Sequence, residues 1–131
     1  MERILAQAVK QMESGSYDAA RSIVKLAFGV DADSVPAHVV LGRLERLAGD
    51  LGASERAYRR ALELDETSAE AHLELGNLAF RDGRDEEALA RYRAYLIHVD
   101  PRRPGAEETG RRVRELIEAL RERIEERKRD D

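Results

Sequence analysis

Residues Ala69 to Pro101 read AEAHLELGNLAFRDGRDEEALARYRAYLIHVDP, and this stretch decides the reading of the whole chain. Ala71, His72, Leu75, Gly76 and Ala79 recur three and four residues apart, which places them on one face of a helix. Asp82-Gly83 then breaks the helix, because glycine accepts the positive φ that a helix C-terminus commonly requires. Asp85 reads as the cap of a second helix whose apolar face is Ala88, Leu89, Tyr92, Tyr95 and Leu96. A pair of short helices cannot hide that much apolar surface alone, so the segment reads as one unit of a stack.

The unit recurs at a spacing of 34 residues. Gly15, Gly49 and Gly83 fall in one slot, and Ala8, Gly42 and Gly76 in another. Ala20, Ser54 and Ala88 align, as do Val24, Tyr58 and Tyr92; Phe28, Leu62 and Leu96; and Ile4, His38 and His72. A gap-free period of this length belongs to stacked helical repeats. The chain resembles the tetratricopeptide-repeat family through Leu41-Gly42, Gly49, Ala57-Tyr58, Ala61-Leu62 and Asp65 in one unit. Leu75-Gly76, Gly83, Ala88, Tyr92, Leu96 and Pro101 carry the resemblance in the next, and three units cover residues 1 to about 101. The resemblance implies an all-α right-handed superhelix of three antiparallel helix hairpins plus a C-terminal solvating helix. It implies one domain over 1–131, with repeats at about 1–34, 35–68 and 69–102 and the last helix at about 104–128.

Composition agrees with a helical domain and narrows the partners. The 131 residues are 38% charged and 42% hydrophobic, enough to bury roughly two-thirds of the unfolded surface. The absence of cysteine excludes a disulfide framework and a thiolate metal site, and fits a reducing, cytoplasmic setting. No run is long enough to span a membrane, and the start MERILAQAVK lacks a signal peptide's apolar stretch. A net charge of −4 argues against nucleic acid as the main partner. Only Lys10, Lys25 and Lys128 are lysines among the 23 basic residues, an arginine bias that hints at a GC-rich bacterial genome.

Along the chain, the first hairpin reads as a helix from Met1 to Ser14 followed by one from Tyr17 to Gly29. Gln7 and Gln11 fill the slots that hold Leu41 and Glu45, then Leu75 and Ala79, further on, and polar residues there are expected of an edge repeat or of a chain that begins inside a longer array. Ser34 and Pro36 open the third helix, which runs to Ala48, and the fourth spans about Ala53 to Leu64, with Gly52 and Ser54 weakening its start. Thr67 and Glu70 have capping-box spacing before the fifth. Beyond Pro104-Gly105, a helix from about Ala106 to about Lys128 begins like a fourth first-of-pair helix, with Gly110 34 residues after Gly76. Its stripe of Ala106, Val113, Leu116, Ile117, Leu120 and Ile124 suits a cap, and its turns from Glu122 onward read as a frayed, solvated end.

No catalytic constellation survives inspection, so the chain reads as no enzyme, with no cofactor and no metal. His38 and His72 share a slot but lack the further ligands of a metal site, and read as packing rings. His98, near a helix end, reads as a dipole partner. Gly49-Asp50-Leu51-Gly52 follows no strand and is not a phosphate loop. Arg56, Arg59 and Arg60, like Arg111, Arg112 and Arg114, are interleaved with glutamates and read as solvated faces.

What remains is a surface. The resemblance places the first helix of each repeat on the concave side, where Leu5, Val9, Met12, Val39, Val40, Arg43, Arg46, Leu47, Leu73, Glu74, Asn77, Phe80 and Arg81 lie just off the packing face, and the last helix could add Arg111 and Arg114. Val39, Val40, Leu47, Leu73 and Phe80 are read as an exposed apolar patch rimmed by arginines, and such patches usually mark a partner. The expected function is a non-catalytic adaptor or scaffold, whose groove takes a peptide or amphipathic helix with acidic groups near Arg43, Arg46 and Arg81. The alternative is self-assembly, in which the groove takes a neighbouring subunit's helix; the chain is expected to be a monomer or weak homo-oligomer. Co-chaperone repeats of this family grip a C-terminal carboxylate with a clamp of Lys, Asn, Asn, Lys and Arg. The matching positions here are Leu5, Val9, Val40, Glu70 and Glu74, so that specificity is not implied.

Overall fold

Apolar residues at helical spacing, each run stopped by a turn, produce seven helices and no strand in a computed structural model that describes residues 1–131. They are α1 (Glu2–Glu13), α2 (Tyr17–Val30), α3 (Val35–Ala48), α4 (Leu51–Leu64), α5 (Ala69–Arg81), α6 (Asp85–His98) and α7 (Ala106–Asp130). Gly49 and Gly83 turn the second and third hairpins at φ +91° and +74°, where a Cβ would be strained. Ser34 accepts the Ala37 N–H at 3.2 Å, and Asp50 accepts that of Ala53 at 3.0 Å, so α4 starts two residues before the expected Ala53. Ser68 rather than Thr67 caps α5, accepting from Ala71 at 3.4 Å. No helix is long and apolar enough to cross a membrane.

The chain divides into two compact units, Met1–Glu66 and Thr67–Asp131. In the first, α1 pairs with α2 and α3 with α4, while α3 also packs on α1 and α2. Its core gathers Leu5, Ala8, Met12, Ala20, Val24, Ala27, Ala37, Val40 and Leu44. Arg21 of α2 donates from Nε to Glu45 of α3 at 2.9 Å, tying the two hairpins of this unit. In the second unit, α5 pairs with α6 and α7 packs on α6, around Ala79, Ala88, Tyr92, Tyr95, Val113 and Leu120.

Each hairpin closes by letting a large side chain of its second helix press on a small residue of its first. A Cβ placed on Gly42 would lie 2.6 Å from Cζ of Tyr58, and one on Gly76 would lie 2.7 Å from Cε1 of Tyr92. Both rings are fully buried. In the first hairpin the same slots hold Ala8 and Val24: one methyl more on one side, a smaller side chain on the other. Ser54, read as a weak helix former, donates its hydroxyl to the Gly42 carbonyl at 2.8 Å and so is satisfied while buried.

Asp85 is not a helix cap: its buried carboxylate accepts from Nη2 of Arg123 at 2.6 Å and from Nε at 3.2 Å. Nη2 of Arg127 lies 3.4 Å from the same carboxylate and 2.9 Å from Glu86. Arg123 and Arg127 therefore tie the last turns of α7 to the start of α6, with Ile124 buried, while residues 125–131 are exposed, as expected of a solvated end. The paired bonds to Arg123 hold the Asp85 carboxyl below its ordinary value of 3.8, against the opposing effect of burial.

Gly76→Ala is expected to lower stability despite the better helix propensity of alanine. Overpacking against Tyr92 costs about 1–3 kcal/mol, against about 1 kcal/mol gained from propensity, and urea unfolding measures the balance. Because the folded pKa of Asp85 is depressed, its contribution is present above the ordinary value of 3.8 and lost as pH falls below it. Urea midpoints measured from pH 6 to pH 2.5 should drop on that limb, and Asp85→Asn should lower the plateau and flatten the drop.

Candidate functional site

The residues expected to form an exposed apolar patch are distributed differently by the packing. In the first unit, Leu5, Met12 and Val40 belong to the core cluster, Val39 is also buried, and Val9 is half-buried against that cluster. Val40 is only 6% exposed. The reason is the position of α3, which touches α1, α2 and α4, so the strip beside its main packing face is covered too. Arg43 is half-buried, whereas Arg46 and Leu47 are exposed. Of the expected strip, these last two are what the first unit offers openly.

In the second unit, Leu73 and Phe80 are half-buried against the core, and Arg81 is exposed. Arg123 of α7 lies over the Phe80 ring at 5.0 Å from its centre, a cation–π contact. Asn77 accepts the Tyr92 hydroxyl at 2.7 Å. Burial, then the nearby Glu74 carboxylate, push the Tyr92 phenol up to about 12, so it stays neutral and donates. Asn77 and Phe80 therefore support the packing, contrary to the expectation that this strip is spare. Val99 and the loop after it then open a cavity on the same unit.

That cavity, of about 390 Å³, lies where α5, the end of α6 and the start of α7 meet. Leu73, Tyr95, Val99 and Ala106 supply apolar lining, and Glu70, Glu74, Asp100 and Arg103 supply charge. Nη2 of Arg103 lies 3.7 Å from Glu70, and the backbone N–H of Arg102 helps hold the Asp100 carboxyl below its usual range. The net result is a pocket lined by both apolar side chains and charged ones, in which carboxylates outnumber the guanidinium. Leu73 and Glu74 of this set belonged to the expected concave strip. Tyr95, Val99, Arg103 and Ala106 sit on three separate elements, and no spacing in the sequence brings them together. The signal that was present is Glu70 and Glu74, one helical turn apart on either side of Leu73.

The histidines pack as rings. His38 lies 4.6 Å from Phe28, centre to centre, with Nε2 3.2 Å from the Ala32 carbonyl oxygen. His72 stacks on His98 at 5.7 Å. Arg59 pairs with Glu55 at 3.5 Å, and Arg60 with Glu63 at 3.0 Å and Asp33 at 3.3 Å.

A family model described as tetratricopeptide repeat matches residues 5–69 and 39–107. No curated protein matches the chain. Among solved structures it is similar to the Yersinia enterocolitica type III secretion translocator chaperone SycD, at 18% identity and a TM-score of 0.79, covering 95% of this chain and 85% of that one. SycD in complex with a peptide of the translocator YopD gives 18% identity and a TM-score of 0.80, covering 94% and 93%. PcrH in complex with the chaperone binding region of PopD gives 17% and 0.77, covering 94% and 92%. At these identities the likeness is one of fold.

Val40→Glu, harmless if the residue were exposed, is expected to cost about 3 kcal/mol or more by burying an unpaired charge. Leu47→Glu, on the same helix at 44% exposure, is expected to stay within about 0.5 kcal/mol of the parent. Thermal melts of the two variants test the assignment.

Proposed function

Because the chain belongs to the tetratricopeptide-repeat family, we propose that it is a non-catalytic protein-interaction module that holds a peptide or amphipathic helix against the first helices of its hairpins. Within the second unit, the cavity beside Leu73 takes an apolar anchoring side chain of that ligand. This cavity is the observation that carries the reading: about 390 Å³ of space beside α5, lined in part by Leu73, Tyr95, Val99 and Ala106. Its volume falls at the low end of the roughly 300–1,000 Å³ typical of ligand pockets, which combine apolar lining with a few polar groups. Two solved proteins of the same fold, SycD and PcrH, hold a peptide of a translocator and a chaperone binding region, which supports a peptide as the ligand class.

The charges refine the ligand. Glu70, Glu74 and Asp100 line the cavity against Arg103, so a lysine or arginine beside the anchor meets favourable potential and a carboxylate does not. This differs from the acidic ligand expected from Arg43, Arg46 and Arg81, which lie outside that cavity.

Fluorescence anisotropy with two labelled peptides tests this, one with a leucine flanked by lysines and one with the same leucine flanked by glutamates. The lysine-flanked peptide should bind about tenfold more tightly at low salt and lose that advantage as salt screens it. Leu73→Gln with Glu74→Gln should remove most of the binding. Equal affinities for both peptides, or binding unchanged in the double variant, would place the site elsewhere.

A further inference from the structure

Arg103 sits at the junction of two proline turns. Its backbone N–H donates to the Asp100 carbonyl at 3.1 Å, and its own carbonyl accepts from the Ala106 N–H at 3.0 Å. Pro101 and Pro104 take the second position of these turns, where the fixed φ of proline suits the bend. Gly105, at φ +81° and ψ −4°, supplies the positive φ that the second turn needs at its third position. The main chain at Arg103 is thus held on both sides, while its side chain reaches into solvent. Neighbouring Arg102 is occupied elsewhere. Its backbone N–H and its Nε both donate to Asp100, at 2.9 and 3.2 Å, and it does not line the cavity beside Leu73.

Arg103 does line that cavity, together with Glu70 of α5, and its Nη2 lies 3.7 Å from Oε1 of that carboxylate. Hydrogen-bonded pairs of this kind close to about 2.7–2.9 Å, so this one is a loose ion pair. Its two members are unequally placed. The Glu70 side chain is 19% exposed and that of Arg103 is 60% exposed. A carboxylate so far withdrawn from water gains from a nearby cation. An arginine so exposed gives up little by leaving, because ion pairs of exposed side chains contribute little.

We propose that Arg103 is a built-in competitor of the basic ligand: it holds Glu70 while the cavity is empty, and its side chain swings into water when a lysine or arginine of the ligand takes the same carboxylate. The inference rests on the reading of this cavity as a site for a basic peptide. It gives Arg103 the opposite role to Glu70 and Glu74, although all three share one lining. Because two turns fix its backbone, the exchange needs only side-chain rotation, and the loop stays in place. A ligand whose cation stops short of Glu70 does not displace the guanidinium and gains nothing from it.

The test measures the lysine-flanked leucine peptide by anisotropy at low salt, on the full-length chain and three variants. Arg103→Gln should bind it about threefold more tightly than the parent, and Glu70→Gln about threefold more weakly. In the double variant the gain from losing Arg103 should vanish, because the carboxylate for which the two cations compete is gone. In the isotope-labelled parent protein, saturating peptide should move the Arg103 Nε–H resonance to the position it has in Glu70→Gln without peptide. Unchanged or weaker binding by Arg103→Gln overturns the proposal. So does a gain that persists in full without Glu70, which would be a general effect of charge, or an Arg103 resonance that saturating peptide leaves unmoved. Any of these results, with the peptide bound by the parent, overturns this inference alone. No binding of the peptide to the parent overturns the reading of the cavity and this inference with it.

Discussion

The contact on which the hairpins depend is a tyrosine ring lying directly on a glycine of the facing helix. At Gly42 and Gly76 a single added carbon would fall within 2.8 Å of the ring, closer than carbon atoms approach one another. Packing interiors tolerate little such volume change. The distance between the two helices of a pair is therefore set by the thickness of one aromatic ring, and the remaining apolar positions are arranged around that spacing. Ala8 with Val24 in the first hairpin shows that the slots answer to total volume rather than to identity.

A second constraint closes the second unit. Asp85 is buried at the start of α6, where it is held by Arg123 and Arg127 of α7. A buried carboxylate without partners would be costly, so the end of α7 is needed where it lies. The same arginine covers Phe80. One side chain from the last helix thus satisfies a charge on α6 and shields a ring on α5. That double duty ties Arg123 and Arg127 to the folded unit although the turns around them are exposed to solvent.

These constraints also shape what the surface can offer. Packing that covers Val39 and Val40 and recruits Asn77 and Phe80 removes most of the simple apolar strip. The opening that remains beside Leu73 comes with Glu70, Glu74 and Asp100 in its lining, which is why the proposed ligand is basic rather than acidic.

The sequence alone determined the helices, their pairing and the family, because period 34 and helical spacing are properties of order along the chain. Gly42 with Tyr58 and Gly76 with Tyr92 could be read as matched slots before any coordinates. Capping was legible only to within a residue or two, since Thr67 and Ser68 are both good caps and backbone geometry chose between them. Only the tertiary structure decided which off-face residues are covered, because that depends on how many neighbours a helix has. It also decided the role of Asp85, whose partners lie 38 and 42 positions away, and the cavity that joins Glu70, Leu73, Tyr95 and Arg103. Such groupings form when three elements converge, and no local pattern encodes convergence.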